Sequence, residues 1–389
     1  MTTSLLLAAL FLLLLCPCGS TLHDSINASR TFSRILERSQ KSPIFAADHF
    51  RGFSTKSGPE VGDKLGSGLQ EEEILSDANT YDALMAFYQS TIGDSWTFHW
   101  NWGNRTVSAC RWYGVCCNAS AAAFSSDDCF LPDWETGSYA GSCCGRGGNA
   151  TNLYLPSNQL SGTIPPELGR LSSLQAIFLY LNQLSGTIPP ELGQLLSLQN
   201  LDLDSNQLSG TIPPELGRLS SLQTLTLQSN QLDGTISHKL GQLSDLQLLS
   251  LYSNQLSGTI PPELGQLTNL QFLGLFSNQL SGTIPPELGK LANLQNLGLY
   301  SNKLCGTIPP TMEKLKSLHT LYLYSNQLSG TIPPELGQMV TLRGLDLSSN
   351  HFGGIEKFAG LVSPFKPAKW SNSACDRTAY SLGGLGYRK

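Results

Sequence analysis

The chain has 389 residues, of which only 14% are charged, and its formal net charge is -5. A weakly charged, slightly acidic chain lacks the concentrated positive charge that is typical of nucleic-acid-binding proteins, so no nucleic-acid partner is expected. The 40% of apolar residues are enough to build a core and argue against disorder throughout.

Residues 1–20 are predicted to form a secretory signal peptide. An unbroken apolar run from Leu5 to Leu15 is too short to span a bilayer, and small residues near Ser20 permit cleavage. A retained signal anchor is the alternative, which the shortness of the run disfavours. Residues 21–68 are rich in serine, glycine and scattered arginine, which is typical of a flexible linker or pro-segment. A second, plastid-type targeting segment would have a similar composition.

Cysteines and glycosylation sequons also favour an extracellular protein. Adjacent cysteine pairs do not provide the spacing of a zinc site, so a clustered even set in an exported chain predicts disulfides and no metal. The clustered cysteines are Cys110, Cys116, Cys117, Cys129, Cys143 and Cys144. The sequons predict glycosylation at Asn27, Asn104, Asn118 and Asn149, all of which precede residue 151.

Residues 151–355 contain nine copies of a 24-residue repeat without insertion or deletion, which predicts a solenoid. Leu201 and Leu203 are two residues apart, so both are expected to point from a short strand into the core. A buried Asn206 must bond backbone groups of its own and neighbouring coils, and Ile212 to Pro214 predicts extended backbone. The equivalent asparagines form a predicted structural ladder: Asn158, Asn182, Asn206, Asn230, Asn254, Asn278, Asn302, Asn326 and Asn350.

The consensus LxxLxLxxNxLxGxIPxxLGxL resembles the plant-type extracellular leucine-rich repeat of polygalacturonase-inhibiting proteins and receptor-like kinase ectodomains. Upstream, the string from Cys110 to Cys117 resembles the CxWxGVxC of that family's N-terminal cap, predicted here over residues 69–150. The resemblance implies an α/β repeat solenoid. Its expected form is a right-handed superhelix with a concave parallel β-sheet and a disulfide-stapled cap, with Cys110 and Cys117 in the paired positions.

The chain departs from the family pattern in three places. Residues 118–145 are inserted between the cap cysteine Cys117 and the first repeat. If Cys110 pairs with Cys117, the other four clustered cysteines allow three pairings. The repeat slips at Ile355, so the solenoid is expected to end there and residues 356–389 to form a tail. Cys375 stands alone in the tail, and a bridge to Cys305 or two free thiols agree equally with the sequence.

No pattern in the chain predicts an active site. GxSxG, HExxH and GxxxxGK[ST] are absent, and a GxGxxA string at residues 145–150 lacks the strand-turn-helix context of a dinucleotide site. The histidines are dispersed, as expected for solvated side chains. We therefore expect no enzymatic activity and no cofactor.

Outward-facing strand residues are the most informative for function, because core packing does not fix them. Tyr252, Phe276, Tyr300 and Tyr324 occupy the same position of four consecutive repeats and are called the aromatic row. Such a row predicts a ligand-binding site on the concave face. The alternative is an aromatic ladder that stabilises the sheet, or copying among recent duplicates. Tyr180 occupies the same repeat position nearer the N-terminus, and Asp202 with Asp204 forms an acidic patch. Other aromatic residues expected beside the row, and included in the predicted site, are Tyr154, Phe178, Phe272 and Tyr322.

These observations predict a secreted recognition protein that binds a protein, a peptide or a cell-surface polysaccharide. Any signalling role would need a membrane co-receptor. The alternative is a cell-wall or matrix spacer with no specific ligand on the concave face. The sequence leaves the oligomeric state open.

Overall fold

The computed structural model describes residues 71–106, 108–117, 149–353 and 381–382. The predicted signal peptide and linker, the insertion after Cys117 and most of the tail lie outside these residues. Outside them also lie several residues for which the sequence makes predictions: Asn27, Asn118, Cys129, Cys143, Cys144 and Cys375.

Each repeat contributes one short strand to a long main sheet. The bounds are β1 Val115–Cys117, β2 Ala150–Tyr154, β4 Ala176–Phe178, β6 Asn200–Asp202, β8 Thr224–Thr226, β10 Leu248–Ser250, β11 Phe272–Gly274, β13 Asn296–Gly298, β15 Thr320–Tyr322, β17 Gly344–Asp346 and β19 Ser381–Leu382. The strands from β2 to β17 are parallel and in register, so that Leu225 lies between Leu201 and Leu249. At the two ends, β1 and β19 pair antiparallel.

A second set of short strands, the lateral strands, follows the repeat asparagines. Their bounds are β3 Ser161–Thr163, β5 Gln183–Ser185, β7 Ser209–Thr211, β9 Gln231–Asp233, β12 Ser281–Gly282, β14 Lys303–Gly306, β16 Gln327–Thr331 and β18 His351–Gly353. They also pair in parallel, and isolated bridges such as Thr235 with Ser257 continue the pattern between them. Successive coils are therefore hydrogen-bonded along two faces.

A 3-10 helix completes each coil. The helices span Pro166–Arg170, Pro190–Gln194, Pro214–Arg218, His238–Gln242, Pro262–Gln266, Pro286–Lys290, Pro310–Lys314 and Pro334–Gln338. Pro213 is extended, as predicted, whereas Pro214 begins a helix. The prediction was wrong at Pro214 because proline also suits the first turn of a helix, where its missing N–H has no partner to lose.

The core is a continuous stack of leucine and isoleucine columns. Leu201 and Leu203 are both fully buried, which confirms the predicted parity of the strand. Leu208, Leu216 and Leu219 are equally buried. Full burial of one such side chain is worth about 1.5–3 kcal/mol. Because most of that cover comes from the neighbouring coils, the coils stabilise one another.

An N-terminal cap covers the first coil. It contains the helix α1, Glu71–Ser90, two short 3-10 helices, Gly93–Ser95 and Ala109–Arg111, and a cluster of buried tryptophans. Trp102 lies at the centre of the cluster, with ring centroids 4.9 Å from Trp96 and 5.0 Å from Trp112. Cys110 and Cys117 form a disulfide, as the family resemblance implies, and Cys116 is disulfide-bonded as well. No helix in the described ranges is both long enough and apolar enough to span a membrane.

Candidate binding surfaces

The predicted asparagine ladder determines where the strands of the main sheet end. Asn206 Nδ2 donates to the carbonyls of Leu179, Leu203 and Asp204 at 3.0–3.2 Å, and its Oδ1 accepts from the backbone N–H of Leu184 at 2.9 Å. The same bonds recur at the later repeat asparagines. At the first coil, Asn158 instead exchanges two hydrogen bonds with the backbone of Phe98 in the cap. The residues just before each asparagine are thus held in a fixed register.

The aromatic row forms a continuous stack along the outward face of the main sheet. Ring centroids are 4.1 Å apart between Tyr252 and Phe276, 4.2 Å between Phe276 and Tyr300, and 4.3 Å between Tyr300 and Tyr324. The planes differ by 11–13°. All four side chains are half-buried. Each inner ring face is therefore covered by a neighbouring ring, whereas the ring edges are not covered by the stack.

Glycines beside the row make room for its rings. A Cβ on Gly298 would lie 3.0 Å from Cδ1 of Phe276 in the row. A Cβ on Gly274 would lie 3.4 Å from Cδ1 of Tyr252 in the row and 2.7 Å from Cε1 of Phe272 beside it. A larger residue at either position would displace a ring. The glycines in this column therefore allow the aromatic rings to lie close to the sheet.

The hydroxyls of the row are neutral at physiological pH. Burial raises the pKa of the Tyr252, Tyr300 and Tyr324 hydroxyls above the ordinary tyrosine value. The row therefore offers uncharged donors and acceptors beside apolar ring edges.

The other predicted aromatic site residues do not join the stack. Tyr154 packs edge to face against Phe178 with centroids 5.6 Å apart, and its hydroxyl lies 3.4 Å from that of Tyr180. This N-terminal group is separated from the row by the coils of Asp204 and Gln228. Two further predicted residues, Phe272 and Tyr322, occupy neighbouring columns beside the row.

In the acidic patch, one of the two carboxyls is buried. Asp202 is only 7% exposed because neighbouring strands cover it, and Asp204 donates its backbone N–H to Asp202 Oδ1 at 3.3 Å. Burial, with a smaller contribution from the charge of Asp204, raises the pKa of Asp202 to about 8. At neutral pH the Asp202 carboxyl is therefore largely protonated.

Asp202 gives the fold a pH dependence of known sign. The folded chain keeps a proton that the unfolded chain releases near the usual pKa of 3.8, so stability falls as pH rises from about 4 to about 8. We expect Asp202→Asn to remove this fall and to be more stable than the native chain at pH 8 by about 1 kcal/mol or more. Urea unfolding of the native chain and of Asp202→Asn at pH 5 and pH 8 measures the fall in stability and the difference between the two chains. Asp346→Asn, at the equivalent position of another coil, should keep the native pH dependence, and an unchanged slope in Asp202→Asn would refute this assignment.

A second regular surface, which the sequence analysis missed, lies on the lateral strands. Five residues after each of the first eight repeat asparagines, the chain carries an exposed threonine. These side chains are called the threonine row: Thr163, Thr187, Thr211, Thr235, Thr259, Thr283, Thr307 and Thr331. The signal was present in the sequence as an unbroken column of threonine. Its exposure could not be read there, because threonine is common in strands for packing reasons alone.

The remaining predicted residues have simple surroundings. Asn104 and Asn149 are exposed. Cys305 has a free, exposed thiol, which agrees with the unbridged alternative. Within the part of the chain that the structure describes, no group of three or more histidine, cysteine, aspartate or glutamate side chains could hold a metal ion.

Family comparisons agree with this architecture. Two family models match the chain. The first, described as "Leucine rich repeat", matches residues 217–280 and 291–352. The second, described as "Leucine Rich Repeat", matches residues 149–171 and 197–219. A search of curated proteins finds no match.

Solved structures with a similar fold include two plant receptor ectodomains. The Arabidopsis thaliana receptor kinase GASSHO1/SCHENGEN3, in complex with CASPARIAN STRIP INTEGRITY FACTOR 2, is 34% identical with a TM-score of 0.62, over 70% of this chain and 30% of that one. The Arabidopsis receptor kinase HAESA, in complex with the peptide hormone IDA and the co-receptor SERK1, is 30% identical with a TM-score of 0.52, over 71% of this chain and 46% of that one. This chain thus spans less than half of either ectodomain.

A plant ice-binding protein is 24% identical with a TM-score of 0.50, over 71% of this chain and 87% of that one, which shows a shared fold alone. The in-register coils, the capping disulfide and the matched repeats together identify this chain as a leucine-rich repeat protein of the plant extracellular type.

Proposed function

We propose that this chain is a secreted, non-enzymatic recognition protein whose aromatic row binds an extracellular polypeptide. The observation that carries the proposal is the stack of Tyr252, Phe276, Tyr300 and Tyr324 on the outward face of the main sheet. Aromatic surface of this extent is frequent at interaction sites. The HAESA ectodomain reported above was solved with a peptide hormone, which supports the same ligand class here.

The geometry of the row favours a polypeptide over a polysaccharide. Sugars bind aromatic residues mainly by stacking on ring faces, and the inner faces of this row are covered by other rings. Ring edges and neutral hydroxyls suit apolar side chains and backbone amides. Binding of a polysaccharide, the other ligand class expected from the sequence, is therefore an alternative outcome of the test described below.

Secretion is part of the proposal and rests on the predicted signal peptide at residues 1–20 and on the disulfides of the cap. Disulfides persist in oxidising compartments outside the cytosol. A signalling role would require a membrane partner, by analogy with the co-receptor bound to the HAESA ectodomain.

The row also contributes to stability, which is what the spacer alternative requires. Each stacked aromatic pair is worth about 0.5–1.5 kcal/mol beyond the area it buries. A spacer would need this stabilisation and would not need a ligand. Binding and stability must therefore be measured on the same variants.

Changing all four row residues to alanine is expected to abolish capture of the partner from native extracellular material. The full secreted chain would be immobilised, and the retained proteins and glycans would be identified. A matched control changes Gln255, Gln279, Lys303 and Gln327 to alanine, because these exposed residues lie in the same four coils, each directly after the repeat asparagine and outside the row.

Both variants must first show the native circular dichroism and cooperative unfolding. A polypeptide that the native chain and the control retain, and that the row variant loses, supports the proposal. Retention of glycans alone would replace the polypeptide by a polysaccharide. Equal retention by all three chains, or none by any, would favour the spacer.

A second candidate function is binding of ice, and the observation that favours it is the exposed, uncharged threonine row on the lateral strands. A surface of identical groups at a constant spacing suits a ligand that is itself periodic. The full chain is expected to slow the recrystallisation of ice at micromolar concentration. Growth of ice grains at the rate seen with an unrelated protein of the same concentration would exclude this function.

A further inference from the structure

Resting on this second function, we infer that the threonine row is the line along which the protein contacts ice, with its hydroxyls held in one orientation by the glycines beside it. The row has one threonine in every coil from Thr163 to Thr331. Adjacent coils lie about 4.8 Å apart, so eight threonines extend over roughly 34 Å.

Recent duplication alone does not account for the row. In the coil of Thr235 the surrounding sequence has changed, with Asp233 in place of the usual serine and His238 in place of proline. In the coil of Thr307, Cys305 replaces the same serine. Both coils retain the threonine at an exposed position.

The threonine methyls pack against the next coil in a repeated geometry. A Cβ on Gly234 would lie 2.7 Å from Thr211 Cγ2, and a Cβ on Gly258 would lie 2.8 Å from Thr235 Cγ2. All seven pairs from Thr163 to Thr307 give distances of 2.7–2.9 Å. Each methyl therefore occupies the space that a side chain would need at the next glycine, and the threonines share one rotamer.

A shared rotamer gives the threonine hydroxyls a common orientation. The neighbouring serines are bound to the protein: Ser209 Oγ donates to the Gly186 carbonyl at 3.3 Å, and Ser257 Oγ donates to that of Gly234 at 3.2 Å. The threonine hydroxyls are exposed and have no hydrogen-bond partner among the described residues. They remain available to an external partner.

The chemistry of the row matches a periodic, uncharged partner. A single exposed hydroxyl gains little by exchanging liquid water for another partner. Many hydroxyls at one spacing can bind together only to a surface with a comparable repeat, and rotamers fixed before contact reduce the entropy lost on binding. Ice is an uncharged lattice of water molecules that both donate and accept hydrogen bonds. The row itself carries no charge that would retain a liquid hydration shell.

The test compares three forms of the full chain in ice-recrystallisation and ice-shaping assays. Thr211→Lys with Thr259→Lys places two long charged side chains in the middle of the row and is expected to raise the concentration needed for inhibition by about tenfold or more. Gln207→Lys with Gln255→Lys adds the same charge to exposed positions of the same coils, outside the row. This control should leave the concentration needed for inhibition unchanged. Circular dichroism must show both variants folded.

A milder variant separates the contribution of the threonine methyl from that of the threonine hydroxyl. Thr211→Val with Thr259→Val keeps the methyl that packs on glycine and removes the hydroxyl, so it is expected to weaken inhibition without loss of stability. An inactive native chain would refute ice binding and this inference together. If the native chain and the lysine variant in the row inhibit ice recrystallisation equally, ice binds elsewhere on the protein. That result would refute this inference alone.

Discussion

Asn278→Ala is expected to destabilise the solenoid by about 3 kcal/mol, because it leaves buried backbone groups without partners. Asn278 is only 9% exposed. Its Nδ2 donates to the carbonyls of Leu251, Leu275 and Phe276 at 3.0–3.2 Å, and its Oδ1 accepts from the N–H of Leu256 at 3.0 Å. Alanine cannot replace these bonds, and water has little access to the interior of the coil.

The matched control is Asn293→Ala. Asn293 is exposed and makes one bond, from Nδ2 to the Thr268 carbonyl at 2.9 Å. Its loss is expected to cost less than about 1 kcal/mol, because water can take the place of the side chain. Urea unfolding followed by circular dichroism measures both variants. Equal stabilities for the two would contradict the structural role of the ladder.

The aromatic row depends on the same ladder. Phe276 lies two residues before Asn278, and its carbonyl accepts one of the bonds from the Asn278 side chain. Loss of that bond should loosen the stack between Tyr252 and Tyr300. We therefore expect Asn278→Ala to reduce ligand capture as well as stability.

Gly265→Ala is expected to destabilise the fold by about 3 kcal/mol, because it forces two coils apart. Gly265 lies in the 3-10 helix Pro262–Gln266, and a Cβ there would collide with the carbonyl oxygen of Glu287 and lie 2.9 Å from Glu287 Cβ. The colliding atoms belong to the backbone of the next coil and cannot rotate away. The neighbouring coils fix the spacing, so the strain cannot be relieved locally.

The sign of this effect distinguishes coil packing from local preference. On conformational preference alone, alanine is better than glycine in a helix by about 1 kcal/mol, so a helix free of its neighbours would gain stability. The control is Gly353→Ala, where a Cβ would meet no atom of the described residues within 4 Å. Its effect on the unfolding midpoint should be small. A stabilising Gly265→Ala would show that the coils are less tightly packed than the structure has them.

The two candidate surfaces share one physical origin. A repeat of constant length places equivalent residues at a constant spacing, and the hydrogen bonds of both strand sets keep that spacing rigid. On the main sheet the result is the aromatic stack around Phe276, and on the lateral strands it is the threonine row around Thr235. Irregular repeats would support neither surface.

The sequence by itself determined the period, the strand parity, the ladder and the pairing in the cap. Leu201 and Leu203 had to face the core because side chains alternate along a strand. Asn206 had to bond backbone groups because a buried amide is costly without partners. The pairing of Cys110 with Cys117 followed from the family resemblance. These features depend on residues that are close along the chain, and the repeat shows each of them many times.

The tertiary structure alone decided how residues about 24 positions apart meet between coils. It stacks the rings of the aromatic row face to face, buries Asp202 enough to keep its carboxyl protonated, and brings Gly265 against the backbone of Glu287. It also packs the methyl of Thr211 against Gly234. The sequence shows that such residues recur, but only the spacing and twist of adjacent coils set their distances and their burial.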